Sequence, residues 1–178
     1  MYTLQKFEKN ISVDDYLEGY VNVGEFLEYC KECRNYDKVW SCPPYDFEPE
    51  DYWKGFRELY ILGYKINFAG DASENRSIEI MAEVKKKLSE ELFALEDEFE
   101  GSISLSAGSC SICMDEKESC TRKDGEACRY PDKMRFSIES IGGNVGKTIH
   151  DLLGISLCWI EEGKVPEYFV LAGGLLKK

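Results

Sequence analysis

The amino-acid sequence predicts an α+β fold: a mixed or antiparallel sheet with helices packed on one face, plus two cysteine-rich loops. Residues 60–66 carry apolar side chains at alternate positions, which indicates a β-strand. Residues 78–99 carry them three and four positions apart, which indicates a helix with one apolar face. Seven of the eight cysteines fall in two polar stretches, about 30–45 and 108–131. The predicted order is strand, helix, strand, cysteine insertion, helix, strand, strand.

Two short helices are predicted ahead of the first cysteine stretch. Ser12 followed by two acids is a typical helix N-cap, and the helix that it begins runs into Tyr16 and Leu17. A second helix over residues 23–29 leads into the loop that carries the first cysteines. This loop ends at Cys42-Pro43-Pro44-Tyr45, because two consecutive prolines exclude both a helix and a central strand.

The middle of the chain predicts a strand, a long helix and a second strand. The first strand covers residues 56–68, a turn at 70–73 ends in a capping Ser73, and Gly101 stops the helix. Residues 102–107 form the second strand. The strand residues of one parity are Tyr60, Leu62, Tyr64 and Ile66. The helix face that should pack on the sheet consists of Ile78, Met81, Val84, Leu88, Leu92, Leu95 and Phe99.

The last part of the chain predicts one helix and two strands. Residues 136–153 read as mostly helical, and residues 155–160 and 168–171 read as strands around a turn at 162–166. The sequence contains no internal repeat and no low-complexity linker. It therefore predicts a single domain over residues 1–178, with the two cysteine stretches as loop insertions.

Size and cysteine content together favour metal ligands over disulfides. With 178 residues, 43% of them hydrophobic, the chain is large enough to form a core without cross-links. The first eight residues lack a basic start followed by an apolar run, which predicts a cytoplasmic protein. Thiols stay reduced in the cytoplasm, so clustered cysteines there are more often metal or redox groups than structural bridges.

The net charge of −12 bears on the partners that this chain can have. It disfavours nucleic acid and anionic lipid, and the one basic run, at residues 85–87, is offset by nearby acids. No stretch approaches the roughly 20 apolar residues that cross a bilayer. An acidic surface suits a small redox carrier that docks on basic patches of larger enzymes, so a redox partner protein is expected.

The first cysteine group is Cys30-x2-Cys33-x8-Cys42, followed by Pro43. A C-x2-C pair can place two thiolates on one metal or cluster, and the proline fixes the chain as it leaves the site. Three cysteines fall one short of the four ligands that a cubane iron-sulfur cluster prefers. Either Cys158, another side chain or a small molecule completes the set, or one iron is left open.

The second cysteine group is Cys110-x2-Cys113-x6-Cys120-x7-Cys128, a full set of four ligands within nineteen residues. A zinc site normally uses two short cysteine pairs, and each pair has two to four residues between its cysteines. The seven residues between Cys120 and Cys128 are too many for such a pair, so the spacing favours an iron-sulfur cluster. Zinc remains the alternative metal.

Four other features have simpler structural explanations. The segment from Gly142 to Thr148 has one residue too few for a phosphate-binding loop, which favours a helix start with closely packed glycines. His150, the one histidine, is predicted to be a surface or capping group, and Cys158 a small residue within a strand. The acids at positions 96–100 are predicted to form a solvated helix end. Four aromatic residues near the cysteines are predicted to shield a metal from water: Trp40, Tyr45, Trp53 and Tyr130.

These residues together resemble a family of small archaeal and bacterial cysteine-rich proteins, described as predicted metal-binding proteins. The resemblance extends over essentially the whole chain, and it implies metal binding and a common fold but no particular reaction. It rests on Cys30, Cys33, Trp40-Ser41-Cys42-Pro43-Pro44, Ala107-Gly108-Ser109-Cys110, Cys113, Cys120, Cys128-Arg129-Tyr130-Pro131, Arg135 and Ser137-Ile138-Glu139-Ser140.

The sequence supports three hypotheses of function. In the first, the chain carries electrons to a partner enzyme through two iron-sulfur clusters of the 4Fe-4S type. In the second, zinc stabilises the loops of a protein-binding module. In the third, an open iron at the three-cysteine group acts as the Lewis acid of an enzyme. All three take their metal ligands from Cys30, Cys33, Cys42, Cys110, Cys113, Cys120 and Cys128.

Overall fold

A computed structural model describes residues 2–68, 73–116, 118–158 and 165–178, apart from the side chain of residue 115. The strands are β1 (Tyr2–Ser12), β2 (Glu58–Phe68), β3 (Ile103–Leu105) and β4 (Tyr168–Lys177). The α-helices are α1 (Val13–Tyr20), α2 (Val23–Lys31), α3 (Pro49–Lys54), α4 (Glu74–Glu98), α5 (Ile112–Asp115) and α6 (Val145–Leu153). Two short 3-10 turns cover Thr121–Asp124 and Glu139–Ile141. None of the helices in these ranges has the length and apolar composition that crossing a membrane requires.

The four strands form one antiparallel sheet in the order β1-β2-β4-β3. The α+β class and the antiparallel alternative are therefore confirmed. β1 was not predicted from the sequence, because this edge strand exposes most of its residues and lacks a continuous apolar pattern. It pairs with β2 along its full length, from Tyr2 opposite Phe68 to Ser12 opposite Glu58. The Ser12 side chain then caps α1 by accepting a hydrogen bond from the Asp15 amide at 3.1 Å, as predicted.

Helices cover both faces of the sheet, so the prediction of helices on one face is wrong. On one face, Leu62 and Ile66 of β2 belong to a buried cluster formed with α4. On the other face, Leu59 and Ile61 belong to a second cluster, formed with residues of α1, α3 and α6. The physical reason is that β2 is a central strand with buried apolar residues at both parities, whereas the alternation that predicts the strand covers one parity alone.

The long helix is present, but its buried face differs in part from the prediction. The Ser73 side chain caps it, accepting a hydrogen bond from the Arg76 amide at 3.3 Å. Ile78 is 49% exposed and Phe99 is 42% exposed, so these two residues do not belong to the buried face. The residues that α4 buries are Ser77, Ile80, Val84, Leu88 and Leu92.

In the C-terminal third, the helical structure before residue 154 is shorter than predicted. The last strand, which starts at residue 168, is longer than predicted. Between residues 136 and 153 the helical parts are a 3-10 turn and α6, and residues 155–158 form no strand. The predicted strand at 168–171 extends through β4 to Lys177. Residues 70–72, 159–160 and 162–164 of the predicted turns and strand lie outside the described residues.

The glycine segment before α6 is a helix start with close packing, as predicted. Gly142 has φ +88°, and a Cβ there would lie 2.7 Å from Val23 Cγ2. A Cβ on Gly143 would lie 2.5 Å from Ile138 Cγ2. The Asn144 side chain then caps α6 by accepting a hydrogen bond from the Lys147 amide at 2.8 Å. Glycine is required here because α2 packs directly against this backbone.

Candidate metal centre

The first cysteine group lies at the C-terminal end of α2 and in the turns that follow it. Cys30 is in the last turn of the helix, and the Cys33 amide donates to its carbonyl oxygen at 3.0 Å. Cys42 closes a later turn, where its amide donates to the Val39 carbonyl oxygen at 2.9 Å. Exposure rises from the buried Cys42 through the half-buried Cys30 to the exposed Cys33.

The second cysteine group follows β3. Cys113 is buried in the single turn of α5, and Cys110 precedes this turn. The Thr121 hydroxyl donates to the Ala127 carbonyl oxygen at 2.9 Å, which closes the loop between Cys120 and Cys128. This bond places Cys120 and Cys128 at the two ends of a closed loop, although they are eight positions apart in sequence.

All four cysteines of the second group line one cavity of about 200 Å³. Trp40 and Tyr130 contribute aromatic surface to the same cavity, and Met114 and Met134 contribute apolar surface. The sequence placed Trp40 and Tyr130 near the cysteines, and the structure agrees. It does not agree for Trp53, which is fully buried in the core against Tyr16 and donates to the Ile141 carbonyl oxygen at 2.9 Å.

The two cysteine stretches are joined by the side chain of Arg122, from the second stretch. Its guanidinium donates to the carbonyl oxygens of Val39, at 3.1 Å, and of Cys42 and Pro44. It also pairs with the Asp37 carboxylate at 3.1 Å and is only 10% exposed. Because a guanidinium presents several donors in a fixed plane, this one side chain can hold the whole turn that carries Cys42.

Three further hydrogen bonds connect the same two stretches. The Cys110 amide donates to the hydroxyl of the fully buried Ser41 at 2.8 Å. The Asn35 side-chain amide donates to the Ser109 hydroxyl at 3.0 Å, and the Trp40 indole donates to the Glu126 carbonyl oxygen at 3.2 Å. The two cysteine groups therefore belong to one docked pair of loops and not to two separate excursions.

Burial and mutual repulsion disfavour free thiolates in the first group. The pKa of the Cys42 thiol is raised to about 11, chiefly by burial and further by charge repulsion from Cys33 and Cys30. A hydrogen bond to Ser41 and the charge of Arg122 act in the opposite direction. Burial also raises the pKa of Cys30, followed by repulsion from Glu139 and Cys33. A cation that replaced the thiol protons would remove this cost, because thiolate is the form that binds metal.

The thiols of the second group are also close enough to affect one another. Burial raises the pKa of Cys110, and repulsion from Cys128 and Cys113 adds to it, while the Ile112 amide and Lys85 oppose it. Burial raises the pKa of Cys128 as well, with repulsion from Cys120 and Cys113 and an opposing hydrogen bond from the Tyr130 amide. All four thiols thus take part in one set of electrostatic interactions around the cavity.

The donors fit a thiolate-bound metal by chemistry and by location, but they do not surround a single-ion position. In the part of the chain that the structure describes, no three Cys, His, Asp or Glu side chains are grouped so that they could hold one metal ion as they stand. Soft thiolates select zinc, copper(I) and iron-sulfur clusters among biological metals. If metal binds, Cys110, Cys113, Cys120 and Cys128 are the residues to hold it at the cavity.

Cys158 and His150 lie apart from both cysteine groups in their contacts. The Cys158 thiol lies beside the Tyr168 hydroxyl, and a hydrogen bond between them raises the pKa of Tyr168. His150 is in the last turn of α6 with its side chain 69% exposed, and its Nδ1 lies 2.8 Å from the Asp151 carboxylate. The prediction of a surface histidine is therefore confirmed.

A family model described as predicted metal-binding protein (DUF2284) matches residues 20–176. The chain belongs to this family. The matched part of this DUF2284 protein begins at the end of α1 and includes both cysteine stretches, Arg122 and the cavity. The resemblance seen in the sequence is thus confirmed at the level of the family, whose description states metal binding in general terms. No curated protein and no solved structure matches the chain.

Several polar residues that shape the loops could not be found by cysteine spacing. Ser41 lies in a segment that carries the family resemblance, but nothing near it or near Arg122 indicates their partners, which are about 70 to 85 positions away in sequence. Glu96 was predicted to be solvated, but its carboxylate accepts hydrogen bonds from Arg135 at 2.8 and 2.7 Å, and both side chains are nearly buried. In the sequence, Glu96 differs from the neighbouring acids only in following the apolar Leu95, and this position alone does not predict burial.

Proposed function

We propose that this protein is an iron-sulfur protein that transfers electrons to a partner enzyme. The observation that carries the proposal is that Cys110, Cys113, Cys120 and Cys128 all line one cavity. Four cysteine thiolates are the ligand set of a 4Fe-4S cluster, which supplies one-electron redox chemistry when bound. The residues of the chain supply the thiolates, the walls that limit water access, and the charges that set the potential.

The space beside the second-group thiols supports a cluster over zinc. A zinc ion bound at about 2.3 Å to four sulfurs draws these sulfurs to within about 4 Å of one another. The second-group thiols instead line a partly open cavity of about 200 Å³, and no three of the described ligand-type side chains form a single-ion group. A polynuclear cluster needs more space between its thiolates than a single zinc ion does.

The charges around the cavity also favour bound thiolates. Arg34, Lys38 and Lys123 line it, and the Arg129 guanidinium forms a hydrogen bond with Cys113 that raises the pKa of Arg129. No acidic residue is among the described residues that line it. Four thiolates on a centre of charge +2 leave a net −2, which basic side chains stabilise at short range.

The first group is proposed to hold a second cluster through Cys30, Cys33 and Cys42. Repulsion from Cys33 adds to the raised pKa of Cys30, and repulsion from Cys33 and Cys30 adds to that of Cys42. Arg122 holds their loop against the second group. This docking is consistent with a relay in which an electron passes from one centre to the other and then to the partner. Exposed Cys33 marks the side on which the first centre is most accessible.

Metal analysis of anaerobically purified protein tests the proposal. We expect iron and acid-labile sulfide in equal amounts, charge-transfer absorption, and an electron paramagnetic resonance signal after reduction. Cys110→Ser and Cys128→Ser should each abolish the second cluster and lower the iron content by about half. Cys158→Ser is the matched control, because its thiol contacts Tyr168 and should leave the iron content unchanged.

Two results would refute the proposal. Colourless protein that contains zinc alone would favour the zinc-stabilised binding module. Equal loss of iron in Cys158→Ser and Cys110→Ser would show that the cavity thiols have no special role as ligands.

A further inference from the structure

The outer edge of β1 has no hydrogen-bonding partner in the described part of the chain. β1 stands at one end of the strand order and pairs with β2 on its other side, along its full length. Within residues 2–68, 73–116, 118–158 and 165–178, no backbone group outside β2 forms a hydrogen bond with the backbone of residues 2–11. Every second residue of β1 therefore presents its N–H and C=O groups at an open sheet edge.

The opposite edge of the sheet is closed. β3 is only three residues long, and the Ser104 amide donates a hydrogen bond to the Glu96 carboxylate. Directly after β3, the Ser106 amide donates to the Phe136 carbonyl oxygen at 2.8 Å. The fold thus satisfies the backbone groups of its short edge strand and leaves those of the longer one open.

β1 also lacks the features that usually prevent an edge strand from pairing. Residues 2–12 contain no proline, and their register with β2 runs through every residue, so the strand has no bulge. None of the eleven residues of β1 is buried. Helices contact the faces of the strand: Lys6 pairs with Glu91 of α4 on one face, and Phe7 packs on the cluster that includes α6 on the other. The edge between these two layers is accessible to another strand.

The charges of β1 are complementary to those of a second copy of the same strand. Two copies related by a twofold axis pair antiparallel, and residues opposite each other lie on the same face. With the axis at Phe7, Lys6 lies opposite the second copy's Glu8, and Lys9 lies opposite the uncharged Gln5. An axis at Lys6 would place two lysines opposite each other, and an axis at Glu8 two glutamates. The register centred on Phe7 avoids both conflicts and also pairs all eleven residues of the strand.

We propose that β1 pairs with β1 of a second copy in the antiparallel register centred on Phe7, which forms a twofold dimer with one continuous sheet. Backbone hydrogen bonds supply the affinity, and the two Lys6–Glu8 pairs between copies fix the register. Within one chain Lys6 Nζ already lies 3.0 Å from the Glu8 carboxylate, so the dimer joins two such pairs into one network of alternating charges.

This interface is separate from the candidate metal centre. The second cysteine group follows β3, at the far edge of the sheet from β1. β1 also precedes residues 20–176, which match the family model, so the family description does not concern it. The inference therefore goes beyond electron transfer and does not depend on which metal the cysteines hold.

A charge exchange between two variants tests the register directly. Sedimentation equilibrium of the full-length protein, purified anaerobically with reductant to exclude disulfide-linked dimers, should show a dimer at micromolar concentration. Lys6→Glu places acids opposite acids, and Glu8→Lys places lysines opposite lysines, so each variant alone should dimerise about tenfold or more weakly. An equimolar mixture of the two places opposite charges in both cross-strand pairs. We expect it to form a heterodimer with nearly the affinity of the unmodified dimer.

Two controls separate this effect from net charge and from misfolding. Lys9→Glu makes the same change of charge on the same strand, but opposite the uncharged Gln5, and should alter the affinity less than about twofold. Because Lys6 also pairs with Glu91, circular dichroism checks that each variant is folded. Hydrogen exchange of the unmodified protein gives a measurement that needs no variant: amides of β1 should become more protected as concentration rises, while those of β3 should not.

A competing peptide distinguishes a second copy from a partner of another sequence. A synthetic peptide of residues 2–12 should compete with dimer formation, whereas a peptide of the same composition in scrambled order should not. Equal competition by the two would show that the edge accepts any extended chain, and would assign it to a partner protein instead.

Three other results would overturn the proposal. The first is a monomer at every concentration, with no gain of protection in β1. The second is a dimer of equal stability in all three variants, which would place the interface on another surface. The third is a mixture of Lys6→Glu and Glu8→Lys that associates no better than each variant alone. Any of them, in protein with the expected iron and sulfide, would leave the iron-sulfur proposal intact.

Discussion

At the residue scale, Arg122 joins the two cysteine stretches of the candidate site without being a ligand in any hypothesis. Its side chain is nearly buried, and its donors serve three carbonyl oxygens and one carboxylate of the stretch that holds Cys42. Burying a charge is tolerated only when its hydrogen bonds are satisfied, which is the case here. The position of Cys42 relative to the second group therefore depends on this guanidinium, together with the hydrogen bond from the Cys110 amide to Ser41.

Arg122→Lys keeps the charge and removes the planar set of donors. We expect it to lower the free energy of unfolding by about 1.5 to 3 kcal/mol, the contribution of hydrogen bonds to a charged group. Urea denaturation measures this change, and the rate of Cys42 modification by a thiol reagent should rise because its turn is less restrained. Arg57→Lys, an exposed arginine without a side-chain partner among the described residues, is the control and should match the unmodified protein.

Glu96 gives a second prediction at this scale, on pH dependence. Burial alone would raise the pKa of Glu96, but hydrogen bonds from Arg135 and from the Ser104 amide outweigh it, so the pKa is lowered on folding. A carboxyl with a lowered folded pKa stabilises the protein above its unfolded pKa of about 4.3, and this stability is lost as pH falls through the folded pKa.

Glu96→Gln should therefore reduce the free energy of unfolding at pH 7 by about 3 kcal/mol, because it leaves Arg135 nearly buried without a counter-ion. Below pH 4 the variant should approach the unmodified protein, which loses the same interaction by protonation. Denaturation at a series of pH values measures both effects. Glu98→Gln changes an exposed acid two positions away and should have little effect at any pH. A parallel pH profile for Glu96→Gln and the unmodified protein would contradict this account.

At the element scale, α4 shows how tertiary packing selects one face of an amphipathic helix. The sequence pattern admitted Ile78 and omitted Ile80, although both are isoleucines near the start of the same helix. In the structure Ile80 is 2% exposed and Ile78 is 49% exposed. The sheet under α4 decides between them, because a helix with apolar residues at several phases can rotate to more than one face.

These two isoleucines form a matched pair of sites for mutation. Ile80→Ala should lower the free energy of unfolding by about 2 to 5 kcal/mol, since it leaves a cavity between α4 and the sheet. Ile78→Ala should cost less than about 1 kcal/mol, since much of its side chain already contacts water. Chemical denaturation distinguishes the two, and equal losses would mean that the helix presents a different face to the sheet.

At the scale of the whole molecule, the core and the cysteine loops are largely separate. Among the described residues, neither buried hydrophobic cluster takes a fully buried member from stretches 30–45 and 108–131. The loops are held to each other by hydrogen bonds, chiefly those of Arg122 and Ser41. A metal bound at these cysteines would therefore add to the stability of the loops more than to that of the sheet.

Removal of metal by a chelator tests this division. Hydrogen exchange should speed up in residues 30–45 and 108–131, while amides of β2 and α4 remain protected. Addition of the metal should restore slow exchange in both stretches together, because Arg122 couples them. Global loss of protection on chelation would show instead that the metal supports the core.

How much could be predicted from the sequence depended on the range of the interactions. The caps at Ser12 and Ser73, the strand at β2 and the helix α4 follow from patterns within a few residues, and each was predicted correctly. The cysteine spacing predicted seven candidate ligands. The segments around these cysteines predicted the family, which was confirmed. The edge strand β1 was missed because its pairing partner, and not its own composition, stabilises it.

By itself the sequence determined the α+β class, the local starts and stops of the main elements, and the cysteine groups, because those depend on neighbouring residues. Only the tertiary structure decided that helices cover both faces of the sheet, that Arg122 joins the two cysteine stretches, and that an acidic chain has a basic cavity. Each of these depends on residues that lie far apart along the chain. Contacts between residues that are far apart in sequence produce no local sequence pattern, because packing and electrostatic interactions depend on distance in space.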